Sequence, residues 1–242
     1  MEKIELAKEF LLDSPLKNSY LIARLDEYNI HVGFSNKNEG EIEAVLIESE
    51  GYASMRGREK GITSLLHELE EGEYRFHAVD NEAYQVLEEV LELEDDHPTW
   101  FFKRPKRYFE EPKLDVDELV LDDAEVINEH WGLQGTDSTD YISERIENGP
   151  AFGIRRDGEL VAWSLTHYMT EQVINLGFLH VKEGWRRKGF AKAITEHMCR
   201  YAEKNGQTPV VDIFKDNDAS ISLAESLGFQ CISEHHWCNV KK

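Results

Sequence analysis

The residues with the clearest chemical potential lie between Val181 and Ala191, where consecutive basic side chains stand beside small residues. Arg186 begins the pattern Arg-x-x-Gly-x-Ala, and the small residues Gly189 and Ala191 let a ligand approach the backbone closely. The segment follows an apolar stretch that predicts a strand, and it precedes an amphipathic helix predicted from about Gly189 to Lys204. The free N–H groups and positive dipole end of this helix would attract an anion such as a pyrophosphate. Taken alone, the pattern also fits an ordinary basic helix start with a turn glycine.

A second segment supports the anion-site interpretation. Asp216–Phe229 follows a predicted strand, Pro209–Phe214, and lies about one strand–helix–strand unit beyond the first segment. Asn217 or Asp218 can cap a short helix here, and Gly228 can adopt the left-handed conformation that ends it. A plain capped helix is the alternative, but the order and spacing of the two segments favour a shared function.

Together the two segments resemble the acyl-CoA-binding signatures of the GNAT superfamily of N-acyltransferases. The resemblance implies that acetyl-CoA or another acyl-CoA is the acyl donor. Its pyrophosphate would lie on the main-chain N–H groups of the loop, and its pantetheine arm would run along the end of the preceding strand. The implied acyl-CoA-binding residues are Leu179, His180, Val181, Arg186, Arg187, Lys188, Gly189, Phe190, Ala191, Asn217 and Ser220.

The elements that must position this loop are predicted upstream of it. They are a strand at Glu118–Leu121, helices at Asp123–Trp131 and Asp137–Asn148, a hairpin of Ala151–Arg155 and Glu159–His167, and a strand at Gln172–Val181. With the resemblance, this order predicts an α/β (α+β) fold with a mixed central sheet flanked by helices. The finer details resemble the glycine N-acyltransferase-like branch, at Asn128–Trp131, Ser143–Glu147, Ala162–Trp163 and Trp237–Val240.

The first hundred residues look like a degenerate copy of the rest. Asp80–Leu87 parallels Asp216–Leu223, and Arg58–Thr63 parallels Arg186–Ala191. Trp100 likewise matches Trp237. An internal repeat of this kind predicts a tandem GNAT-like fold with a similar lobe in each half. An unrelated α/β domain is the alternative.

The N-terminal copy is expected to have lost acyl-CoA binding. Thr63 replaces the small residue of the loop, and Glu70, Glu71 and Glu73 follow a short helix, where carboxylates would repel phosphates. The boundary is expected within Arg104–Lys113, because prolines and mixed charge interrupt the periodicity there. The sequence therefore predicts an N-terminal lobe at 1–112 and an acyl-CoA-binding domain at 113–242.

Composition limits the partners. The chain has 242 residues, about 40% hydrophobic, with a formal net charge of −21. That charge argues against a nucleic-acid partner, since phosphate binding needs a basic face. An acidic surface could steer a cationic amine inward, and the alternative is that it only keeps the protein soluble. The cluster Lys103, Arg104, Lys106 and Arg107 is expected to be solvated linker.

The sequence also indicates a location. It carries no apolar segment long enough for a signal peptide or a membrane span, so a cytoplasmic protein without a membrane partner is expected. Cys199, Cys231 and Cys238 lack metal spacing and are expected to be reduced thiols. His235 and His236 are interpreted as strand residues rather than zinc ligands, so no metal is expected. The oligomeric state is left open.

The resemblance implies direct attack of an amine on the thioester, helped by an oxyanion donor and a base. Many relatives carry a Glu at the position of Asn175, but the asparagine side chain cannot take a proton. A Tyr that acts as a general acid is frequent in the family at the position of Ala224. We therefore expect His180 to be the base, with Asn175 orienting the amine or a relay water. Strand alternation places these two residues on opposite faces unless a bulge intervenes, so His167 or Glu171, acting through water, is the alternative base, and a purely structural role for His180 is a further alternative.

Two classes of function fit the sequence. One is an acyl-CoA-dependent N-acyltransferase that acts on the amine of a small molecule or amino acid. The other is a non-catalytic acyl-CoA-binding pseudoenzyme or sensor.

Overall fold

In the computed structural model, residues 2–27, 29–38, 41–106, 114–131 and 137–242 are described. The chain forms two compact units. Unit 1 contains residues 1–101, 213–217 and 231–242, and unit 2 contains residues 102–212 and 218–230. The expected boundary at residue 112 lies outside the described residues. The lobes 1–112 and 113–242 therefore stay a prediction about sequence organisation, and the compact units assign two short C-terminal segments to the first.

The helices and strands follow one another in an order that occurs twice. The first half contains α1 (Glu2–Leu12), α2 (Ser19–Arg24), β1 (His31–Asn38), β2 (Glu41–Ser49), β3 (Tyr52–Gly57), α3 (Glu59–Glu68), β4 (Glu73–Asp80), α4 (Asn81–Val90), β5 (Glu92–Asp96) and β6 (Thr99–Lys103). The second half contains β7 (Asp117–Glu118), α5 (Asp123–Trp131), α6 (Thr139–Asn148), β8 (Phe152–Arg156), β9 (Glu159–Met169), β10 (Val173–Val181), α7 (Phe190–Lys204), β11 (Thr208–Phe214), α8 (Asp218–Ser226) and β12 (Gln230–Lys241).

Unit 1 is built on a mixed sheet with helices packed on it. β1, β2 and β3 form an antiparallel meander, β4 lies parallel to β3, and β12 pairs antiparallel with β4 and β5. Successive side chains of β2 point to opposite faces of the sheet. Val45 and Ile47 pack with α1 and α2, whereas Ala44 and Leu46 pack with α3 and α4. The sheet is therefore buried on both faces, which explains why β2 is apolar without interruption from Ala44 to Ile47.

Unit 2 repeats this plan. β7 to β10 form an antiparallel meander, and β11 lies parallel to β10. Trp163 of β9 and Phe178 of β10 pack in one core with Ile127 of α5 and Ile142 of α6. α7 contacts β8, β9 and β10. It buries an apolar stripe that includes Ile194 and Met198.

The internal repeat predicted from the sequence is confirmed. In both halves two helices precede three antiparallel strands, a helix, a parallel strand and a further helix. Arg58 joins β3 to α3 in the same topological position in which residues 182–189 join β10 to α7. The last strand, β12, completes the sheet of unit 1 from Cys231 onward, which no local sequence pattern predicts.

Some predicted bounds shift for local reasons. The helix expected from Asp137 begins at Thr139, because the Asp137 carboxylate accepts hydrogen bonds from the Thr139 N–H and hydroxyl. The strand expected at Glu118–Leu121 is only Asp117–Glu118. Arg104, expected in a solvated linker, is instead buried with its guanidinium 5.8 Å from the centre of the Phe229 ring. Arg107, expected in the same linker, lies outside the described residues.

In the part of the chain that the structure describes, every helix falls short of the length and apolarity that a membrane crossing requires.

Candidate functional site

β10 and β11 separate partway along their length. They share the rungs Val173/Thr208, Ile174/Pro209 and Asn175/Val210, where the described register ends. β10 then continues to Val181, and β11 continues to Phe214. Strand edges that have separated in this way present N–H and C=O groups to a ligand that enters between them. The cleft therefore opens beside residues 176–181.

A bulge interrupts β10 within this cleft. Gly177 is opposite Leu165 of β9, whereas His180 is opposite Trp163, so β10 carries one more residue than its partner. Phe178 takes up this extra length with φ of 53°, a left-handed conformation that is uncommon for an aromatic residue. The bulge re-aims the backbone N–H groups that follow it, and Leu179 is 37% exposed there.

The bulge also brings Asn175 and His180 to one face of the sheet. Opposed residues of neighbouring strands share a face, so Gly177 and His180 lie on the face of Leu165 and Trp163. Asn175 is two residues before Gly177 and shares that face as well. The structure thus removes the geometric objection to these two residues acting together.

His180 is held in a stack of aromatic rings. Its ring centroid lies 4.7 Å from that of Trp163 and 4.9 Å from that of His130 at the end of α5, both in stacked geometry. Burial lowers the pKa of His180 below its usual 6.5, and the charges of His130, Arg186 and Lys182 lower it further. The imidazole is therefore neutral at pH 7 and able to accept a proton. His130 was missed in the sequence analysis, because nothing local marks it as a neighbour of His180.

Asn175 lies at the point where the strands separate. It is 2% exposed, and its side-chain N–H donates a hydrogen bond to Oδ2 of Asp212 on β11 at 3.0 Å. Burial lowers the pKa of nearby His167 to about 4, against the opposing effect of the Asp212 charge. Asp212 was also missed in the sequence analysis, because it lies far from Asn175 in sequence and only the parallel pairing of β10 with β11 brings them together. Glu171 is exposed in the turn between β9 and β10, and its role as an alternative base stays a prediction.

Gly177 makes room for the His167 ring, and this leads to a stability prediction. A Cβ atom on Gly177 would lie 2.0 Å from Cδ2 of His167, whose ring packs against Trp131 and Phe178 and cannot easily move. We expect Gly177→Ala to destabilise the protein by about 1–3 kcal/mol through overpacking. Thermal unfolding checks this, with Gly184→Ala as the control because a Cβ there meets nothing within 4 Å. Equal melting temperatures for the two variants would contradict the account.

The loop between β10 and α7 is open and basic. Arg186, Arg187, Lys188 and Gly189 are all exposed, and α7 has no acidic residue in its first turn. Gly189 is the N-cap of α7 with φ of 84°, and a Cβ atom there would meet nothing within 4 Å. Arg187 also adopts a left-handed conformation, with φ of 64°. These features fit a pyrophosphate on the N-terminus of α7.

Neighbouring side chains hold the loop in shape. Nε of Arg186 donates to the Val181 carbonyl at 3.1 Å, which ties the loop back to the end of β10. Trp185 stacks on Phe190 at 5.9 Å, and Nζ of Lys188 lies 4.4 Å from the Trp185 ring centre. Ala191 is in the first turn of α7. All six residues expected to bind the phosphates therefore occupy one continuous segment.

The corresponding segment of unit 1 differs. Only Arg58 separates β3 from α3, and Glu59 adds a negative charge to the first turn of the helix. Gly61 lies inside α3, where a Cβ atom would come within 2.8 Å of Ala44 Cβ on β2. This glycine permits close packing of helix on sheet. Unit 1 thus lacks an exposed loop equivalent to residues 182–189.

The second predicted segment has the expected form. α8 begins at Asp218, and Gly228 follows it with φ of 82°. Ser220 is in the first turn of α8 and half-buried. Asn217 belongs to the segment 213–217 of unit 1, and its backbone N–H donates to the Phe214 carbonyl at 3.0 Å. The contribution of Asn217 and Ser220 to acyl-CoA binding stays a prediction.

The cysteines and His236 lie in surroundings that favour a structural role over a catalytic one. The three cysteines are unpaired thiols, and burial raises the pKa of both Cys199 and Cys238 to about 12. Such thiols are poor nucleophiles at neutral pH. His236 is buried in β12 and bonds to Asp96 and Asn81 at 2.9 and 3.0 Å. Across the described ranges, no three His, Cys, Asp or Glu side chains come together in a way that could hold a metal ion.

Comparisons with known proteins agree with this geometry. The family described as FR47-like protein matches residues 151–238, which run from β8 to β12 and include the loop. A comparison with curated proteins found no match to this sequence.

Solved structures extend the likeness to the whole chain. A Drosophila protein matches with a TM-score of 0.75 at 15% identity, over 100% of this chain and 95% of that one. An acetyltransferase from the GNAT family of Colwellia psychrerythraea matches with a TM-score of 0.64 at 15% identity, over 98% and 95%. A tandem GNAT protein from the clavulanic acid biosynthesis pathway matches with a TM-score of 0.62 at 12% identity, over 100% and 94%. The chain therefore has the GNAT acetyltransferase fold in a tandem arrangement.

Proposed function

We propose that the protein is an acyl-CoA-dependent N-acyltransferase that transfers an acyl group, in the first instance acetyl, to the amine of a small molecule or amino acid. The observation that carries this proposal is the cleft between β10 and β11, which runs directly into the open basic loop at the N-terminus of α7. A thioester lying along β10 and a pyrophosphate on the loop would occupy both features at once.

The loop residues would bind the phosphates mainly through the backbone. The N–H groups of Gly189, Phe190 and Ala191 stand at the start of α7, where no intrahelical carbonyl is available to them. The side chains of Arg186, Arg187 and Lys188 add positive charge. Backbone groups of Leu179, His180 and Val181 would hold the pantetheine arm, with an N–H after the bulge as the oxyanion donor.

The reaction needs few protein groups. The neutral acceptor nitrogen attacks the thioester carbonyl carbon, and the carbon–sulfur bond to CoA then breaks to release the thiolate. His180 takes the proton that the nitrogen loses, because its lowered pKa keeps it neutral at pH 7. Asn175 orients the amine or a relay water from the same face of β10.

Two finer features belong to the same proposal. Segments that resemble the glycine N-acyltransferase-like branch pack near the cleft: Trp131 lies 4.1 Å from the Phe178 ring centre, and Arg145 donates to the His167 carbonyl at 2.9 Å. A cytoplasmic location is also proposed, and the three unpaired cysteines are consistent with a reducing compartment.

A non-catalytic acyl-CoA-binding protein is the second candidate, and Asn175 is the observation that favours it. An amide at this position cannot accept a proton, whereas a carboxylate could. If His180 does not replace it, the cleft would bind acyl-CoA without turnover.

A screen of amine acceptors separates the two candidates. Acetyl-CoA and longer acyl-CoAs are offered with a panel of small amines and amino acids, and free CoA is followed by its thiol. We expect CoA release that depends on the amine and on the intact loop. Tight acyl-CoA binding without amine-dependent release would instead select the binding protein.

A further inference from the structure

We propose that Asp212 is the residue that selects a cationic amine as acceptor, by binding its ammonium group at the point where β10 and β11 separate. This inference rests on the proposed N-acyltransferase function and adds a substrate class to it.

The position of Asp212 carries the first part of the argument. Val210 forms the last described rung with β10, opposite Asn175, and Asp212 is two residues further along β11. It therefore points to the same face as Val210 and Asn175, beside the opening of the cleft. The hydrogen bond from Asn175 to Oδ2 of Asp212, at 3.0 Å, fixes the carboxylate there.

The chemistry of the neighbours carries the second part. The Asn175 amide orients the Asp212 carboxylate and brings no charge of its own. His167 lies within electrostatic range of Asp212, and with a pKa of about 4 it is neutral at pH 7. The His167 ring in turn contacts the Phe178 and Trp131 rings, at 4.5 and 5.7 Å between centroids.

This surrounding fits a primary alkylammonium ion. Charge-assisted hydrogen bonds are stronger than neutral ones, so a half-buried carboxylate distinguishes a cation from a neutral molecule of similar shape. The net charge of −21 raises the local concentration of cations around the protein. Asp212 thus binds and selects the acceptor as a cation; the ammonium group releases one proton to solvent before attack, and His180 takes the second proton, which the nitrogen loses on attack.

The test compares two acceptors and three variants. An alkylamine is cationic at pH 7, whereas an arylamine is neutral. Asp212→Asn removes the charge and keeps the shape. Asp157→Asn makes the same change in the exposed β8–β9 turn, where φ of 53° suits asparagine, and is the control. The double variant Asn175→Asp/Asp212→Asn exchanges the amide and the carboxylate within one hydrogen-bonded pair.

We expect Asp212→Asn to raise KM for the alkylamine about 10- to 100-fold, while KM for the arylamine and the affinity for CoA change less than about twofold. Calorimetric titration of the alkylamine into the CoA complex should show the same loss. The exchanged pair should recover the preference for the alkylamine, and Asp157→Asn should match the wild type.

If Asp212→Asn leaves KM for both acceptors at the wild-type values, or raises both equally, the assignment of Asp212 is overturned and the proposed N-acyltransferase function is not. If Asp212→Asn does not fold, the exchanged pair decides, since loss of the alkylamine preference in that variant would overturn the assignment. A wild-type protein that releases no CoA with any amine would overturn the proposed function, and this assignment with it.

Discussion

Replacing Gly189 with glutamate is expected to abolish acyl-CoA binding. Gly189 has φ of 84° at the N-cap of α7, and a Cβ atom there points into open space where the phosphates would lie. Glutamate adds bulk and a negative charge at this point, so it opposes a dianionic pyrophosphate both sterically and electrostatically. Isothermal titration calorimetry with CoA measures the effect, and we expect affinity to fall at least about a thousandfold, below detection.

A matched variant separates lost binding from backbone strain. Gly206 lies in the turn that follows α7, with φ of 76°, and a Cβ atom there would also meet nothing within 4 Å. Gly206→Glu imposes the same side chain on the same left-handed conformation, at a cost of about 1–2 kcal/mol, but it lies beyond the opposite end of the helix. It should bind CoA as the wild type does. Equal CoA affinity in Gly189→Glu and Gly206→Glu would refute the phosphate site.

Replacing His180 with alanine is expected to lower kcat about a hundredfold or more and to leave CoA affinity little changed. The change removes the proposed base but keeps the backbone groups that would bind the pantetheine arm. The proton transfer to His180 takes place only in the transition state, so its loss should lower kcat/KM by the same factor as kcat and leave KM unchanged. Steady-state kinetics with the best amine from the screen measures both constants.

The pH dependence identifies the role of His180. A base acts when it is neutral, so activity should rise with pH through the His180 pKa, which burial places below 6.5, and should be level near pH 7. His180→Phe keeps an aromatic ring in contact with Trp163 and His130 but cannot accept a proton, so it should lose this acid limb together with turnover. His197→Ala is the control, since His197 is a half-buried histidine on α7 that packs on Phe152. A variant at position 180 that keeps full turnover with the same pH profile would remove His180 from the mechanism.

Local sequence patterns predicted most of what determines the loop. The small residues Gly189 and Ala191, the basic run before them and the amphipathic stripe of α7 are all encoded within one short segment. The repeat could also be predicted, because the order of elements recurs and similar segments at Asp80 and Asp218 begin a helix in each half. Asp80 caps α4 by accepting a hydrogen bond from the Ala83 N–H at 3.0 Å.

Features that depend on pairing between distant strands could not be predicted. The bulge at Phe178 needs a register that residues 163–165 impose from β9. The Asn175–Asp212 hydrogen bond needs the parallel pairing of β10 with β11, and the stack on His180 needs α5 to end beside β10. β12 completes the sheet of unit 1 although it follows the second repeat. Each of these features is set by contacts between residues distant in sequence, which local residue patterns do not report.

The two copies of the fold also differ in a way that bears on ligand binding. Loss of acyl-CoA binding by the N-terminal copy was expected from Thr63 and the acidic residues that follow α3. The structure gives a second reason, because α3 follows β3 almost directly and leaves no phosphate-binding loop between them, and Gly61 packs against Ala44. We therefore expect one acyl-CoA site per chain.

Amide hydrogen exchange with and without CoA, read by mass spectrometry on the full chain, tests most directly whether the chain has one acyl-CoA site, formed by β10 and the loop before α7. We predict slower exchange in peptides that cover residues 179–191, because their N–H groups would bind the pantetheine arm and the phosphates. Exchange in peptides that cover residues 58–66 should not change. Protection of residues 58–66 by CoA, or no protection of residues 179–191 at saturating CoA, would contradict the proposed site.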